Sequence, residues 1–319
     1  MLKLLRKTAT AFETVTPQPR WRLPEDAIWI ELVNPSREEE LAVEHALGLE
    51  LPTREDMAEI ELSSRLYQDN GATVMTATVL THSASDNPVL APVTFVLAGQ
   101  RLVTIRYVEP TAFKAFVGQL ERQPGGLASG GDAFLGLLDA VVDRVADILE
   151  SVAEDVETTS QQIFRRPRQG GFEPILYQLG RSQMVSAKAR ASLASLARLI
   201  SFSDLAGQLQ SVRDLRQHLR SLQRDVQSLT DHAGYLASNI TFLLDAALGL
   251  INIEQNAIGK VFSVVSVLFL PAMLIASVYG MNFRHMPELA WLHGYPMALA
   301  LMAVSMIAGF SWLKWKRWL

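Results

Sequence analysis

The feature that most constrains this chain is a run from Val261 to Phe283 that contains no charged residue and is bounded by Lys260 and Arg284. As an α-helix this run would be roughly 34 Å long at ~1.5 Å per residue, which is enough to cross the hydrocarbon core of a bilayer. A buried core helix is the alternative, but such helices are rarely free of charge over this length. The run therefore predicts a transmembrane helix.

A second apolar run, from 297 to 313, follows Gly294-Tyr295-Pro296 and ends at Lys314. It is shorter, but it also predicts a membrane span, with proline in its first helical turn. The basic tail over 314–319 is expected on the cytoplasmic side, because positively charged segments stay inside. Two spans return the chain to the side on which it began, so we expect residues 1–260 in the cytoplasm and residues 282–296 outside.

Composition excludes several classes of protein. The chain has 29 Lys and Arg against 33 Asp and Glu, a net charge of -4, which argues against a dedicated nucleic-acid binder. It has no cysteine, so disulfide scaffolds, thiol nucleophiles and thiolate metal sites are ruled out. The sequence has no phosphate-binding GxxxxGKS or GxxxxGKT loop and no catalytic constellation, so we predict neither an enzyme nor a bound cofactor.

The predicted cytoplasmic part begins with an α/β pattern. Residues 27–108 alternate strand-like runs such as AIWIELV with helix-capping motifs at Ser36-x-x-Glu39 and Thr53-x-x-Asp56. Residues 123–131 are typical of a linker, and the pattern after them is helical. The expected divisions are an α/β domain over 1–130, a helical region over 131–209, a stalk helix over 210–260, a first span over 261–281, an outer loop over 282–296, a second span over 297–313 and a tail over 314–319.

The stalk carries apolar residues at alternating spacings of four and three, a coiled-coil seam that leads into the first span. A helix from 210 to 280 would be roughly 105 Å long at ~1.5 Å per residue and cannot bury itself, so it needs partners in this chain or in other copies. The seam consists of Leu215, Leu219, Leu222, Val226, Leu229, Ala233, Leu236, Ile240, Leu243, Ala247 and Leu250.

A second stripe on the same helix holds mostly small or polar residues across both the stalk and the span. In a single helix surrounded by lipid, such a face would have no function. In a ring of helices, the same face could line a narrow pore. The alternative is a small-residue face for close helix packing. The polar stripe consists of Asp231, Tyr235, Ser238, Phe242, Asp245, Gly249, Asn252, Asn256, Gly259, Ser263, Ser266, Leu270, Met273, Ser277 and Gly280.

Bulky residues interrupt the polar stripe inside the membrane. Leu270 and Met273, with Phe262 beside them, could form an apolar constriction that closes a pore by excluding water, or they could simply pack. Pro271 removes one backbone hydrogen bond in the same region, which either exposes a carbonyl group or kinks the helix.

At the outer end of the first span the chain reads Tyr279-Gly280-Met281-Asn282-Phe283, followed by Met286-Pro287-Glu288-Leu289. This pattern resembles the YGMNF and MPEL signature of the CorA family of bacterial magnesium transporters. The resemblance extends over the chain, from AIWIELVNP near the start to the basic tail that ends in Trp318-Leu319.

The resemblance implies an α+β protein of the bacterial inner membrane that forms a funnel-shaped homopentamer. The stalk helix would continue into a pore-lining first span, the second span would face lipid, and both termini would be cytoplasmic. The implied function is Mg²⁺ influx driven by the membrane potential and gated by cytoplasmic Mg²⁺, with Co²⁺ and Ni²⁺ as further ions and no nucleic-acid partner.

The resemblance also assigns residues. Gly280, Met281 and Asn282 match the family's external selectivity motif, and Asp245 and Asn256 match polar rings along the cytoplasmic pore. We therefore interpret the polar stripe as pore lining at Asp245, Asn252, Asn256, Gly259, Ser263, Ser266, Leu270, Met273 and Ser277. The tail residues Lys314, Lys316 and Arg317 resemble a basic collar near the pore neck.

The helix after the linker carries an acidic stripe at four-and-three spacing: Asp143, Asp147, Glu150, Glu154 and Glu157. Such a face could bind regulatory Mg²⁺ weakly between subunits, as the resemblance implies, or it could be an ordinary solvated face. Ser221 stands where some relatives carry an acidic sensor, so we do not expect that site here.

Several features leave alternatives open. The six histidines show no HxxxH or HExxH spacing, so we expect surface or packing roles for them. Arg284-His285 stands where the family usually has an acidic-aromatic pair, and a cationic ring there should repel incoming cations. The alternatives are a zinc-transporting relative, against which the intact Gly-Met-Asn counts, and a membrane-anchored coiled-coil scaffold without conduction, against which the polar stripe counts.

Overall fold

The computed structural model describes residues 1–319 apart from residues 8, 10, 18–20, 60, 86, 123–126, 166–170, 208–212, 283–285, 317 and 319, and apart from the side chains of 62, 213, 289 and 290. The chain divides into two compact units, Met1–Leu244 and Asp245–Leu319. The elements of the first unit are β1 (Leu2–Arg6), β2 (Glu13–Val15), β3 (Ala27–Val33), α1 (Arg37–Leu47), α2 (Arg54–Ala58), α3 (Leu62–Arg65), β4 (Leu66–Asp69), β5 (Ala72–Thr81), β6 (Val89–Ala98), β7 (Arg101–Arg106), α4 (Thr111–Arg122), α5 (Gly130–Phe164) and α6 (Glu173–Ala206).

A mixed seven-stranded sheet, in the order β2-β1-β3-β7-β6-β5-β4, forms the centre of the first unit. Every neighbouring pair is antiparallel except β3 and β7, which are parallel, with Trp29 opposite Leu102. All seven residues of β3 are buried, because the strand lies inside the sheet with its two faces covered. The strand-like runs read from the sequence are therefore confirmed as one sheet.

Two layers of side chains cover the sheet. One face packs Ile30, Leu32 and Val96 with Val43 of α1 and Met57 of α2. On the other face, Phe95 lies 5.7 Å from the ring of Phe134 in α5 and 6.2 Å from that of Phe113 in α4, measured between ring centroids. Trp29 is fully buried there and donates its indole N–H to Thr104 Oγ1 at 2.9 Å.

Both predicted helix caps are confirmed. Ser36 Oγ accepts a hydrogen bond from the backbone N–H of Glu39, whose carboxylate accepts from the Ser36 N–H in return. Thr53 and Asp56 form the same reciprocal pair before α2. Asp56 is half-buried, and the hydrogen bonds that its carboxylate accepts from the Thr53 hydroxyl and the Thr53 N–H lower the pKa of its carboxyl group. Each box satisfies backbone N–H groups that a helix start leaves without partners.

Helix α5 begins within the predicted linker, at Gly130, rather than after it. A β carbon on Gly130 would lie 2.4 Å from the backbone carbon of Arg101, so only glycine permits this close approach to β7. Ser129 caps the helix by accepting from the N–H of Asp132. The glycines that read as linker in the sequence thus serve a tight contact between helix and sheet.

Helix α6 covers part of the β5 edge, where β4 pairs only with residues up to Met75. The backbone N–H of Thr78 donates to Ser195 Oγ at 2.9 Å, and Ser192 Oγ donates to the Thr78 carbonyl oxygen at 2.9 Å. These serines satisfy strand groups that would otherwise be open to another chain.

Helix α7 (Arg213–Tyr279) is a single helix of 67 residues that begins in the first unit and ends in the second. The predicted seam is its buried face: Leu219, Leu222, Val226, Ala233, Leu236, Ile240, Leu243 and Ala247 are almost wholly buried. Within the first unit α7 contacts its own chain, since Ser186 of α6 donates to the Ala233 carbonyl oxygen at 3.3 Å. Within the first unit, the seam therefore finds its partner inside the chain.

The second unit contains the rest of α7, a 3₁₀ turn (Pro287–Ala290) and α8 (Gly294–Trp315). Helices α7 and α8 are the two helices in the described chain that are long and apolar enough to cross a membrane. The most apolar stretch of α7 is 0% buried, and that of α8 is 11% buried. A helix in a protein core would be mostly buried, whereas a helix that faces lipid or a partner is exposed in this way. The fold class is thus an α/β domain, a long helix and two C-terminal apolar spans.

Candidate functional site

The two spans pack against each other through one side of each helix. A β carbon on Gly309 of α8 would lie only 3.1 Å from the Val267 carbonyl oxygen of α7, so the two backbones approach closely there. The half-buried residues of α7 in this region are Val264, Val267, Leu268, Ala272, Ile275 and Tyr279, with Ser263 at the edge of this side. Small residues allow such close packing between helices in a membrane.

The polar stripe lies on the other side of α7. Ile275 of the packed side and Ser277 of the stripe are two positions apart, which separates them by about 200° around a helix of 3.6 residues per turn. The residues predicted to line a pore are exposed, apart from half-buried Ser263: Asp245, Asn252, Asn256, Gly259, Ser266, Leu270, Met273 and Ser277. Within this chain, close packing of the spans therefore uses a different face.

The stripe ends at the Gly-Met-Asn triplet. The N–H of Gly280 donates to the Ala276 carbonyl oxygen at 2.9 Å, and the N–H of Met281 donates to that of Val278 at 3.3 Å. These bonds close the last turn of α7, and Met281 and Asn282 follow it as exposed residues. Asn282 is therefore exposed just beyond the end of α7, whereas Arg284-His285 lies outside the described residues.

A compact turn over residues 287–294 precedes the second span. The N–H of Gly294 donates to the Trp291 carbonyl oxygen at 2.9 Å, and a β carbon on Gly294 would lie 2.2 Å from the Glu288 carbonyl oxygen. Glycine is required at this position because any side chain would collide with that backbone. The turn places Trp291 and His293 side by side, with 5.8 Å between their ring centroids.

The three residues predicted to form an apolar constriction are exposed on α7. Phe262, Leu270 and Met273 are 70%, 60% and 61% exposed, so none of them is used for packing inside the chain. Pro271 lies inside the helix beside them.

The charged residues of α7 in the second unit are Asp245, Glu254 and Lys260, so the span itself carries no carboxylate that would hold a divalent cation tightly.

The acidic stripe of α5 is solvent-exposed. Asp147 lies 3.8 Å from Arg144, and Glu157 accepts a hydrogen bond from Gln161 at 3.0 Å. Among the residues that the structure describes, no group of three or more His, Asp or Glu side chains is arranged to hold a metal within one chain. A regulatory site between subunits stays a prediction.

The sequence did not reveal one contact between α5 and the stalk. His218 Nε2 of α7 lies 2.6 Å from Asp139 Oδ2 of α5. Burial raises the pKa of the Asp139 carboxyl group, and His218 opposes that rise while Asp143 and Asp225 add to it. No sequence spacing identifies the pair, because the two residues are distant in the chain.

The sequence also carries a signal for the contact at Gly309, since a glycine four residues after Ser305 in an apolar helix indicates close packing.

The fold and the apolar helices define a membrane protein with a large N-terminal α/β domain and two C-terminal spans, one of which continues a long stalk. The family model described as "CorA-like Mg2+ transporter protein" matches residues 24–317. The chain belongs to this family.

Individual relatives agree with the family match. The chain is 36% identical over 293 residues to the magnesium transport protein CorA of Pasteurella multocida (strain Pm70), covering 92% of each. It is 34% identical over 294 residues to the protein of the same name from Escherichia coli (strain K12), again covering 92% of each. The complete structure of the CorA magnesium transporter from Methanocaldococcus jannaschii matches with a TM-score of 0.75 at 17% identity, covering 100% of this chain and 99% of that one.

Proposed function

We propose that this chain forms a homopentameric channel of the bacterial inner membrane that carries Mg²⁺ into the cytoplasm, with both termini on the cytoplasmic side. The observation that carries the proposal is the exposed polar stripe of α7, which runs through an apolar span and ends at Gly280, two residues before the exposed Asn282. Polar and small side chains facing a bilayer are unfavourable unless they line a polar path or pack against other copies. Membership of a magnesium transporter family supports the same function.

Asn282 suits the selection of a hydrated ion. Mg²⁺ holds its octahedral water shell tightly, so a filter that accepts the hydrated ion avoids the free-energy cost of dehydration. The amide oxygen of Asn282 can accept hydrogen bonds from metal-bound water, and a ring of such amides can contact several waters at once. In this proposal Gly280 and Met281 form the rest of the filter, with the glycine keeping the helix end narrow.

The path below the filter would hold the ion weakly. Its lining would be the polar stripe from Ser277 down to Asp245, and the absence of carboxylates between Val261 and Tyr279 would let the ion leave. An inside-negative potential of ~100 mV supplies about 4.6 kcal/mol to a divalent cation, twice ~2.3 kcal/mol per charge. Influx on this scale would need no ATP.

Closure of the path is assigned to the apolar residues Phe262, Leu270 and Met273, whose exposed side chains could exclude water from a narrow pore. The exposed acidic stripe, Asp143 to Glu157, would bind cytoplasmic Mg²⁺ between subunits and favour the closed state. The basic tail residues Lys314, Lys316 and Arg317 would form a collar at the inner end.

The identity of the ion separates this proposal from its alternatives. Oxygen ligands suit Mg²⁺, whereas a chain without cysteine offers no soft ligand for zinc, and Co²⁺ and Ni²⁺ are further candidates. The test is growth and metal content of a Mg²⁺-uptake-deficient bacterium at limiting Mg²⁺. The proposal expects rescue with raised cellular Mg²⁺. Raised zinc without rescue would favour a zinc transporter, and a well-expressed protein that changes neither metal would favour a non-conducting scaffold.

A further inference from the structure

The ends of the two apolar spans that lie away from the Gly-Met-Asn triplet carry a group of basic and aromatic side chains. Gly309 and Val267 are level with each other, because their backbones touch. Lys260 lies seven residues before Val267 and Lys316 seven residues after Gly309, about 10 Å along each helix in the same direction. Because a short connection joins the end of α7 to the start of α8, we infer that the two helices run in opposite directions, which brings these lysines to about the same level. We call Lys260, Lys314 and Lys316 with Trp312, Trp315 and Trp318 the cationic belt.

The lysines of the cationic belt are not paired with any carboxylate that the structure describes. All three are exposed, and none forms an ion pair within the part of the chain that the structure describes. Glu254 is the acidic residue of α7 nearest to Lys260 in sequence, and it is six residues away, which is about 9 Å of helix rise. Among the described residues, these three ammonium groups therefore have no ion-pair partner.

The tryptophans place the belt at the boundary of the bilayer. Trp312, Trp315 and Trp318 are 45%, 79% and 40% exposed, at the point where the apolar span ends. Indole rings favour this depth, where the ring meets lipid and its N–H meets the headgroups. Lys316 Nζ lies 5.2 Å from the centroid of the Trp312 ring, so this ammonium group is held against the helix rather than extended into water.

We propose that the cationic belt binds the phosphate headgroups of anionic phospholipids, with phosphatidylglycerol as the probe. Charge complementarity carries the inference, since unpaired lysines flanked by interfacial tryptophans match a phosphate that lies just above the acyl chains. The inference rests on the proposed membrane topology but not on which ion is carried. It gives the basic collar a structural partner, because lipid phosphates would neutralise lysines that otherwise repel each other.

The test compares the full-length protein in detergent micelles with added dioleoylphosphatidylglycerol or dioleoylphosphatidylcholine. Native mass spectrometry counts retained lipids, and thermal unfolding reports stabilisation. The wild type should retain phosphatidylglycerol preferentially, and the double variant Lys314→Gln/Lys316→Gln should retain it about tenfold more weakly. Lys114→Gln, an exposed lysine on α4, should behave as the wild type.

Two results would overturn the inference: equal retention of both lipids by the wild type, or unchanged phosphatidylglycerol retention by the double variant. High salt gives a test that needs no variant, since phosphatidylglycerol stabilisation of the wild type should fall as salt screens the charges. Mg²⁺ flux in phosphatidylcholine liposomes is measured separately. Lipid preference without flux would reject the transport proposal alone, and flux without lipid preference would reject this inference alone.

Discussion

Gly309 and Val267 set the distance between the two spans, because a β carbon on Gly309 would lie 3.1 Å from the Val267 carbonyl oxygen. This contact keeps α8 on the side of α7 that lacks the polar stripe. Because α8 packs on that side, the polar stripe of α7 is left exposed.

Enlarging Gly309 should force the spans apart. Gly309→Leu is expected to destabilise the protein by about 1–3 kcal/mol, as overpacking does, and to reduce Mg²⁺ flux. Ala308→Leu is the matched control, since Ala308 is the preceding residue and is exposed. Thermal unfolding and flux would both be measured. Equal effects of the two substitutions would show that the close approach at Gly309 is not needed.

The absence of cysteine allows a direct test of which face of α7 meets water. Introduced cysteines should react with a water-soluble, positively charged thiol reagent according to their access to water. Ser266→Cys and Ser277→Cys should react about tenfold faster or more than Leu268→Cys and Ile275→Cys in the open channel. The readouts are labelling rate and block of flux. Equal rates on the two faces would contradict a water-filled path along the polar stripe.

Removing charge from the acidic stripe should weaken inhibition by internal Mg²⁺. The triple variant Asp143→Asn/Asp147→Asn/Glu150→Gln is expected to conduct more than the wild type when internal Mg²⁺ is high, because carboxylates are the oxygen ligands that this ion prefers. Flux is measured against internal Mg²⁺ concentration. The control neutralises Glu38, Glu50 and Glu55, which are exposed acids elsewhere in the first unit. Inhibition that is unchanged in the first variant would reject a regulatory role for the stripe.

The contact between Asp139 and His218 predicts a specific pH dependence of stability. Because burial raises the pKa of Asp139, its contribution to stability is full below the unfolded-state pKa and is lost as pH rises through the folded-state pKa. Above the folded-state pKa, the ionised carboxylate is therefore destabilising, and His218 partly offsets this effect. Asp139→Asn should keep or raise the melting temperature, whereas His218→Ala should lower it. A larger loss for Asp139→Asn would contradict this account.

Two residue patterns, alternation in strands and four-and-three spacing in helices, were sufficient to predict much of the fold. The strand AIWIELV, the boxes at Ser36 and Thr53, and the seam from Leu219 to Ala247 are found where these patterns indicated. The seam could not show whether its partner was internal, because apolar spacing reports burial but not what covers it. The predicted linker was wrong at Gly130, because glycine is common both in flexible segments and where two backbones approach closely.

The polar stripe was visible in the sequence because helical periodicity fixes which residues share a face. Its relation to the second span was not, since the position of α8 depends on one glycine contact between distant residues. The Asp139 and His218 pair could not be predicted for the same reason. Local patterns specify elements and their faces, whereas contacts between elements need the folded arrangement.

The most direct test of the central claim is Mg²⁺ influx into liposomes that contain the purified protein, with an inside-negative potential and a trapped Mg²⁺-sensitive dye. We predict influx for the wild type and a loss of about tenfold or more for Asn282→Ala, since a hydrogen bond to a charged group contributes ~1.5–3 kcal/mol. Asn87→Ala removes an exposed amide from the first unit and should leave the rate unchanged. Influx through Asn282→Ala at the wild-type rate and with the wild-type ion preference would contradict the assignment of Asn282 to the filter.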